Sequence, residues 1–337
     1  MITRQTYRIK AGSIANLRIS TEEISEPNPG EVQISIKSIG LNFADLYAIW
    51  GLYSATPKGD FIPGLEFSGI VSMAGIDSKY QVGDRVMGVT RFGGYSDTLN
   101  LDERYVLPIP DGWTFEEGAA YLVQVLTAYY ALFELGNVKR NAIVLIHSGA
   151  GGVGLFANRL AKKMGAITIG TTGSQSKVDR MQQEGYDHTI VRSKHFSTDL
   201  VKILDGRPLN LILECIGGKI LRQGFNLLAS EGRMIVYGSA HFTSPGDRPN
   251  YLKLVWKYLR RPKIDPMQLP TNNRSVMGFN LIYLYERVDL MHEMLGQIST
   301  LNMEKPAVGA IVTFDRLPEA VRLLQSGGTM GKVVVNV

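Results

Sequence analysis

The sequence predicts an α/β protein in two parts, a β-rich domain and a doubly wound domain around a parallel sheet. Three observations carry this reading. The first hundred or so residues are short strands broken by turn residues. Strand-like and helix-like segments then alternate through the middle of the chain. Between the first strand and helix of that alternation lies HSGAGGVG (147–154), a density of small residues suited to a place where something approaches the main chain closely.

The early strands are VQISIKSIG (32–40), FSGIVSMAG (67–75), GDRVMGV (83–89), YSDTLNL (95–101) and YVLPIP (105–110). At TFEEGAAYLVQVLTAYYALFELG (114–136) the rhythm turns helical, with Thr114 as N-cap and Glu117 three residues on, a capping box. AIVLIH (142–147) reads as a buried strand. Val153, Phe156, Ala157, Leu160, Ala161 and Met164 place an apolar stripe on the helix that follows, and Gly165 ends it. AITIGTT, KVDRMQQEG, DHTIV, STDLVKILDG, LNLILECIG, ILRQGFNLLA and RMIVYGS continue the alternation. The last segment, GAIVTFDRLPEAVRLLQSGGTMGKVVVNV (309–337), is strand, short helix, strand, and is expected to rejoin the β-rich domain.

Composition bounds the function. A chain of 337 residues, 45% apolar and 20% charged, is ordinary for a globular protein of two domains. The formal net charge of +5 suits an anionic ligand but is too mild to indicate nucleic acid. One cysteine, Cys215, excludes an intrachain disulfide framework and fits a reducing compartment. The N-terminus lacks the apolar core of a secretory signal and no eighteen apolar residues run together, so a cytoplasmic location is expected.

Gly149, Gly151 and Gly154 form a G-x-G-x-x-G at a strand-to-helix turn, the context in which this motif is specific for a dinucleotide. Backbone N–H groups of Gly151, Gly152, Val153 and Gly154 at the helix start would face a pyrophosphate. An NAD-binding sheet usually carries an acid about 20 residues further on. Here the second strand ends at Thr172 in GTTGSQSK, with no acid before Asp179. Ser174 and Lys177, with Arg192 after the third strand, instead offer a hydroxyl and two cations for a 2′-phosphate, which favours NADPH.

With these residues on the page, the chain resembles the medium-chain dehydrogenase/reductase superfamily nearly end to end. GLNFADLYAIWGLY (40–53), PGLEFSGIV (63–71) and GDRVMG (83–88) look like its quinone oxidoreductase branch. WKYLRRPKIDPM (256–267) and RSVMGFNLIYL (274–284) look closest to the vesicle amine transport protein subgroup. The resemblance implies a GroES-like catalytic domain, residues 1–122 and 306–337, with a Rossmann NADP-binding domain, residues 123–305, inserted. It implies an active site between them, with Asn42, Asp45, Tyr47 and Tyr53 in the cleft segment and Thr127 on the nicotinamide side. Gly238, Phe279, Asn280 and Lys332 fall in segments that approach the cofactor in relatives. One departure is Arg192, where many quinone reductases have a tyrosine.

Alcohol dehydrogenases of this superfamily hold zinc with cysteine and histidine. Where their PGHE would supply the histidine, this chain has Pro63, Gly64, Leu65 and Glu66. Cys215 lies in the nucleotide domain, and His147, His188, His195, His241 and His292 are scattered, so no metal site is expected. His147 is expected to be structural. Without such a Lewis acid, the suited acceptors are those that delocalise their own charge, quinones and α,β-unsaturated carbonyl compounds, with hydrogen bonds from Asn42 or a tyrosine. The expected function is therefore NADPH-dependent, zinc-independent reduction of such a small molecule. Reduction of a carrier-bound enoyl group is the other enzymatic reading. A nucleotide-binding adaptor or peripheral membrane protein with little or no turnover is the alternative.

YLKLVWKYLRRPKID (251–265) sets five cations among Tyr251, Trp256 and Tyr258. A solvated helix packed on the protein, a lid or dimer contact, and weak peripheral contact with a membrane are its three readings, the first favoured. SVMGFNLIYL (275–284) reads as an apolar edge strand that pairs with its copy in a homodimer.

Overall fold

The computed structural model describes residues 2–337. The chain opens with strands β1 (Ile2–Lys10), β2 (Arg18–Ile24) and β3 (Glu31–Gly40), then a short helix α1 (Phe43–Ile49). Strands β4 (Asp60–Phe61), β5 (Glu66–Ala74), β6 (Arg85–Val89), β7 (Thr98–Asp102) and β8 (Val106–Pro108) follow. Helices α2 (Phe115–Ala119) and α3 (Leu122–Tyr129), the latter widening into a π turn over Tyr130–Leu135, lead into the second domain.

There the order is β9 (Ile143–Ile146), α4 (Gly152–Lys163), β10 (Ile167–Thr172), α5 (Val178–Gln183), β11 (His188–Val191), α6 (Phe196–Leu204) and β12 (Leu209–Glu214). Then come α7 (Gly218–Leu227), β13 (Leu228–Val236), α8 (Tyr251–Leu259), α9 (Gln268–Asn272), β14 (Ser275–Gly278) and α10 (Val288–Ser299). The chain closes with β15 (Val308–Thr313), α11 (Leu317–Ser326) and β16 (Lys332–Asn336).

Two larger sheets organise the molecule. In the β-rich part the order is β15-β16-β3-β5-β6-β8, with β7 also on β3. β16 pairs antiparallel with β3, so the C-terminal segment returns to the first domain. In the nucleotide part the order is β11-β10-β9-β12-β13-β14, and every pairing is parallel. This is the doubly wound arrangement, and its order reverses between β9 and β12. Strand β9, IVLI, is buried throughout because helices cover both faces of a parallel sheet. On α4, Phe156, Ala157, Leu160 and Ala161 are buried at helical spacing, but Met164, at the helix end, is exposed.

The helical stretch 115–135 is long and apolar enough to cross a membrane, yet 67% of it is buried inside the fold, where it joins the two domains. It is not one helix. The predicted capping box is present, with Thr114 Oγ1 accepting from Glu117 N at 3.2 Å and Glu117 Oε2 accepting from Thr114 N at 2.8 Å. The helix then breaks at Ala120, and α3 starts afresh because the Glu66 carboxylate, from β5, accepts the Val123 N–H at 2.9 Å. A partner distant in sequence thus supplies the N-terminal acceptor.

Two further expectations are corrected. The strand expected over 275–284 ends at Gly278, and residues 281–284 form a turn of 3₁₀ helix. Phe279 leaves the sheet to pack on Tyr130 and Tyr237, and Asn280 to bond Tyr53, so tertiary contacts override the strand pattern. The basic aromatic helix α8 is capped by Asn250, but none of its nine residues is buried. It is a helix, as expected, but of its apolar side chains only Leu254 is half-buried and the others are exposed.

Candidate active site

The loop after β9 is shaped by close contacts. Ser148 stands at φ +53°, a left-handed conformation that is unfavourable for a residue with a Cβ. A Cβ on Gly154 would fall 2.4 Å from Ser148 O, and one on Gly152 would fall 2.0 Å from the Gln124 side-chain amide. Gly149 is packed behind the loop against Met181 and Tyr186 rather than on the cleft. Helix α4 starts at Gly152 with no side-chain cap and no acid in its first turn, leaving its N–H groups and positive dipole end open toward the cleft.

The cleft lies between the domains and has a volume of about 1000 Å³. Gly151, Gly152, Val153 and Gly154 line one stretch of it, continuing past Thr172 and Ser174 to Lys177 and Arg192. Asn42, Tyr47, Tyr53, Thr127, Gly238, Phe279, Asn280 and Lys332 line the rest. All the expected cofactor and substrate positions therefore share one cavity, except Gly149 and Asp45. The expectation for Asp45 is corrected by its geometry: its carboxylate is turned inward and caps α1, accepting Asn42 N–H at 2.8 Å.

At the far end of the nucleotide stretch two cations meet without an acid. Lys177 Nζ donates to Gly327 O at 2.5 Å and Thr329 O at 2.7 Å, which moors the loop before β16. Arg192 Nη1 donates to Thr171 Oγ1 at 2.8 Å. Among the described residues neither has a carboxylate partner, and burial, with the Arg192 charge beside it, lowers the Lys177 pKa. An anion between them would relieve that repulsion. The bare helix terminus, the glycine cradle and this cationic end fit a phosphorylated dinucleotide, which would supply a hydride when bound.

Behind the loop runs a buried polar chain. The Thr171 hydroxyl accepts from Arg192 Nη1 and lies 2.8 Å from His147 Nδ1; the carboxylate facing Nε2 assigns the ring proton to that nitrogen, with the hydroxyl donating to Nδ1. Nε2 faces Glu214 Oε2 at 3.3 Å, while Glu214 Oε1 accepts from Ile216 N at 2.5 Å and Gly217 N at 2.8 Å. Burial, then the Arg192 charge, lowers the His147 pKa to about 3, so the ring is neutral and structural, as expected.

On the catalytic side, Tyr47 donates to Ser239 O at 2.9 Å and Tyr53 to Asn280 Oδ1 at 2.6 Å, both across the cleft. Burial raises both phenol pKa values, which keeps the hydroxyls protonated as donors. Thr127 donates within its helix to Val123 O at 2.6 Å, leaving its oxygen lone pairs for an acceptor role. Sequence reasoning missed Gln124, whose buried Oε1 has no partner among the described residues and whose amide forces a glycine at 152. Its only signal was one polar residue inside the apolar run YLVQVL. It also missed that Glu66 and Lys332 meet, 266 residues apart.

Similarity to known proteins bears on the family and the fold. The family described as alcohol dehydrogenase GroES-like domain matches residues 28–111, and that described as zinc-binding dehydrogenase matches residues 152–297. The human synaptic vesicle membrane protein VAT-1 homolog is 32% identical over 313 residues, 92% of this chain and 79% of that one. A mycobacterial protein solved in complex with NADPH superposes with a TM-score of 0.84 at 25% identity, covering 99% of this chain and 100% of that one. The quinone oxidoreductase of Pseudomonas syringae pv. Tomato DC3000 gives 0.83 at 25% identity, with the same coverage.

Asp45 supplies a pH test. Burial raises its carboxyl pKa from 3.8 to about 7, opposed only in part by the Asn42 N–H and the Lys332 charge. A folded-state pKa above the unfolded one contributes stability that is full below about pH 4 and is lost as pH rises through 7. Asp45→Asn should therefore gain on the wild type between pH 4 and pH 8, by at most about 4 kcal/mol. Urea unfolding at both pH values checks this, and parallel pH profiles would refute the assignment.

With both domain matches, the VAT-1 relationship and a histidine-free PGLE in place, the chain belongs to the zinc-free, VAT-1-like branch of the medium-chain dehydrogenase/reductase superfamily.

Proposed function

We propose that the protein is an NADPH-dependent, zinc-independent reductase of quinones or α,β-unsaturated carbonyl compounds. The observation that carries this reading is the cationic pair Lys177 and Arg192 at the end of a glycine-lined cleft, with no carboxylate to serve a free ribose. Support comes from the neighbours solved with NADPH and named a quinone oxidoreductase. When bound, NADPH supplies the hydride. Thr127 and Gln124 would orient its nicotinamide amide, and Tyr47 and Tyr53 would close the cleft against water. Action in the reducing environment of the cytoplasm belongs to the same proposal.

Mixing the protein with NADPH and a panel of quinones and enones should give loss of the reduced nicotinamide absorbance with at least one acceptor. No oxidation with any member would sink the reading. Changing Lys177 and Arg192 together to Met should weaken NADPH by roughly tenfold or more and leave NADH within about twofold, read by calorimetry. Equal losses for both nucleotides would remove the 2′-phosphate assignment.

A homodimer belongs to the same proposal. Strand β14 is the outer strand of the parallel sheet, and pairing with its copy would cover that edge. Light scattering during gel filtration should give twice the chain mass, and a clean monomer would exclude the pairing.

One observation favours a second reading. On α8, Leu252 is 87% exposed and Leu259 69%, and Trp256 and Tyr258 carry Arg260 and Arg261 over their rings at 4.7 and 3.8 Å. From Arg248 to Ile264 there is no acid. Such a helix suits weak peripheral contact with an anionic membrane. Lys253, Arg260 and Arg261 changed together to Glu should abolish co-sedimentation with phosphatidylserine vesicles while leaving NADPH affinity intact. Wild type that stays in the supernatant would rule it out.

A further inference from the structure

Lys332 is 2% exposed and Glu66 fully buried, yet Lys332 forms part of the cleft wall. Its Nζ stands 2.5 Å from Glu66 Oε2 and 2.7 Å from Asn42 Oδ1. Four parts of the chain are arranged around this ammonium. Glu66 comes from β5 and Lys332 from the first position of β16. Asn42 is the N-cap of α1, and its amide nitrogen is held by Gly40 O at 3.2 Å. The second oxygen of Glu66 is held by the first turn of α3. A Cβ on Gly40 would fall 1.9 Å from Ala119 O and 2.8 Å from Lys332 Cε, so the glycine lets the chain pass Ala119 with the lysine side chain alongside.

A buried ion pair is weak evidence for stability, since apolar residues of the same volume serve as well or better. This one also has a direction. Glu66 is not part of the cleft wall, whereas Lys332 and Asn42 are, so of the three residues only the lysine and the amide border the cavity. Three N–H donors meet two acceptors among the described residues, which leaves one donor unused. The Asn42 amide oxygen is occupied by the ammonium, so Asn42 cannot orient freely toward a substrate. The group free to meet negative charge in the cleft is the lysine.

We propose that Lys332 is a catalytic residue that receives the oxygen of the acceptor as it becomes an anion, with Glu66 and Asn42 as its positioning residues. The proposal deepens the reductase reading and rests on it. A hydride arriving at the β-carbon of an enone pushes the π pair through the α-carbon onto the carbonyl oxygen, giving an enolate. The Lys332 ammonium donates a hydrogen bond to that oxygen and keeps its proton. Water then protonates the α-carbon, and the saturated ketone leaves. With a quinone the same hydrogen bond meets the hydroquinone anion before water protonates it. A preorganised cation in a dry cleft is the means by which such charge is stabilised without a metal.

The test reads the anion directly, without turnover. Protein saturated with NADP⁺ is titrated with 4-nitrophenol across pH, and the fraction bound as phenolate is followed by its absorbance. Wild type should bind the phenolate and lower the apparent pKa of the probe by about one unit or more. Lys332→Met with Glu66→Gln removes both charges together and strands neither, and the Gln oxygen can still accept from Val123. A cooperative thermal melt confirms that this variant is folded. It should bind the phenol with no such shift, while Lys332→Arg retains part of it.

In turnover, the double variant should lose about a hundredfold in kcat with NADPH affinity unchanged. A folded double variant with the wild-type probe pKa, or a wild type that takes up no phenolate, overturns the proposal. If no acceptor is reduced by the wild type, the reductase reading fails. The phenolate titration still decides whether Lys332 holds an oxyanion.

Discussion

Everything in the nucleotide half depends on one steric constraint, the close approach of backbone to backbone between His147 and Leu155. Gly154 must pass Ser148 O, and Gly152 must pass the Gln124 amide, with no room for a Cβ at either place. That contact sets the angle at which α4 leaves β9, and hence where its uncapped N-terminus points. It points into the crevice at which the strand order reverses, where an open parallel sheet binds its ligand. Filling that space with one methyl group would shift the helix, the crevice and Gln124 together.

The cleft divides its electrostatics between two ends. At the phosphate end, positive charge is left uncompensated: a bare helix terminus, Lys177 and Arg192, with mutual repulsion already felt by Lys177. At the catalytic end, charge is compensated but oriented. Lys332 is neutralised by a carboxylate that does not border the cavity, so the protein tolerates a buried cation while still showing it to the cleft. Both ends are tied to the same short segment, since Lys177 holds the carbonyls of Gly327 and Thr329 and Lys332 follows directly.

The domains meet through apolar as well as polar contacts: Tyr105 stacks on Tyr285 with ring centroids 3.9 Å apart, and Tyr121 packs edge-on against Phe156. Tyr47 and Tyr53 reach across to Ser239 O and Asn280. Trp50 Nε1 and Arg322 both bind Asp247, which fixes the segment leading to α8 against the catalytic domain. Helix α8 then projects from this anchored segment with most of its apolar side chains in solvent. The anchoring explains how a helix without a buried face is held in place.

The sequence by itself determined the fold class, the glycine turn, the capping box at Thr114 and the loss of the zinc ligands. Each is a local pattern whose chemistry is complete within a few residues, or, for the metal, a matter of which donors the chain contains. Nearly all of the positions it named lie on the cleft wall, although many of them were legible only through resemblance to relatives. What only the tertiary structure decided involves partners far apart. Asp45 turns inward because its carboxylate caps the helix that carries it. The strand after Ser275 stops because Phe279 and Asn280 find better partners across the cleft. Glu66, which the sequence marked only as the neighbour of a missing histidine, becomes at once the cap of α3 and the counter-ion of Lys332. No periodicity or spacing encodes such pairings, because they arise only when segments distant in the chain fold against one another.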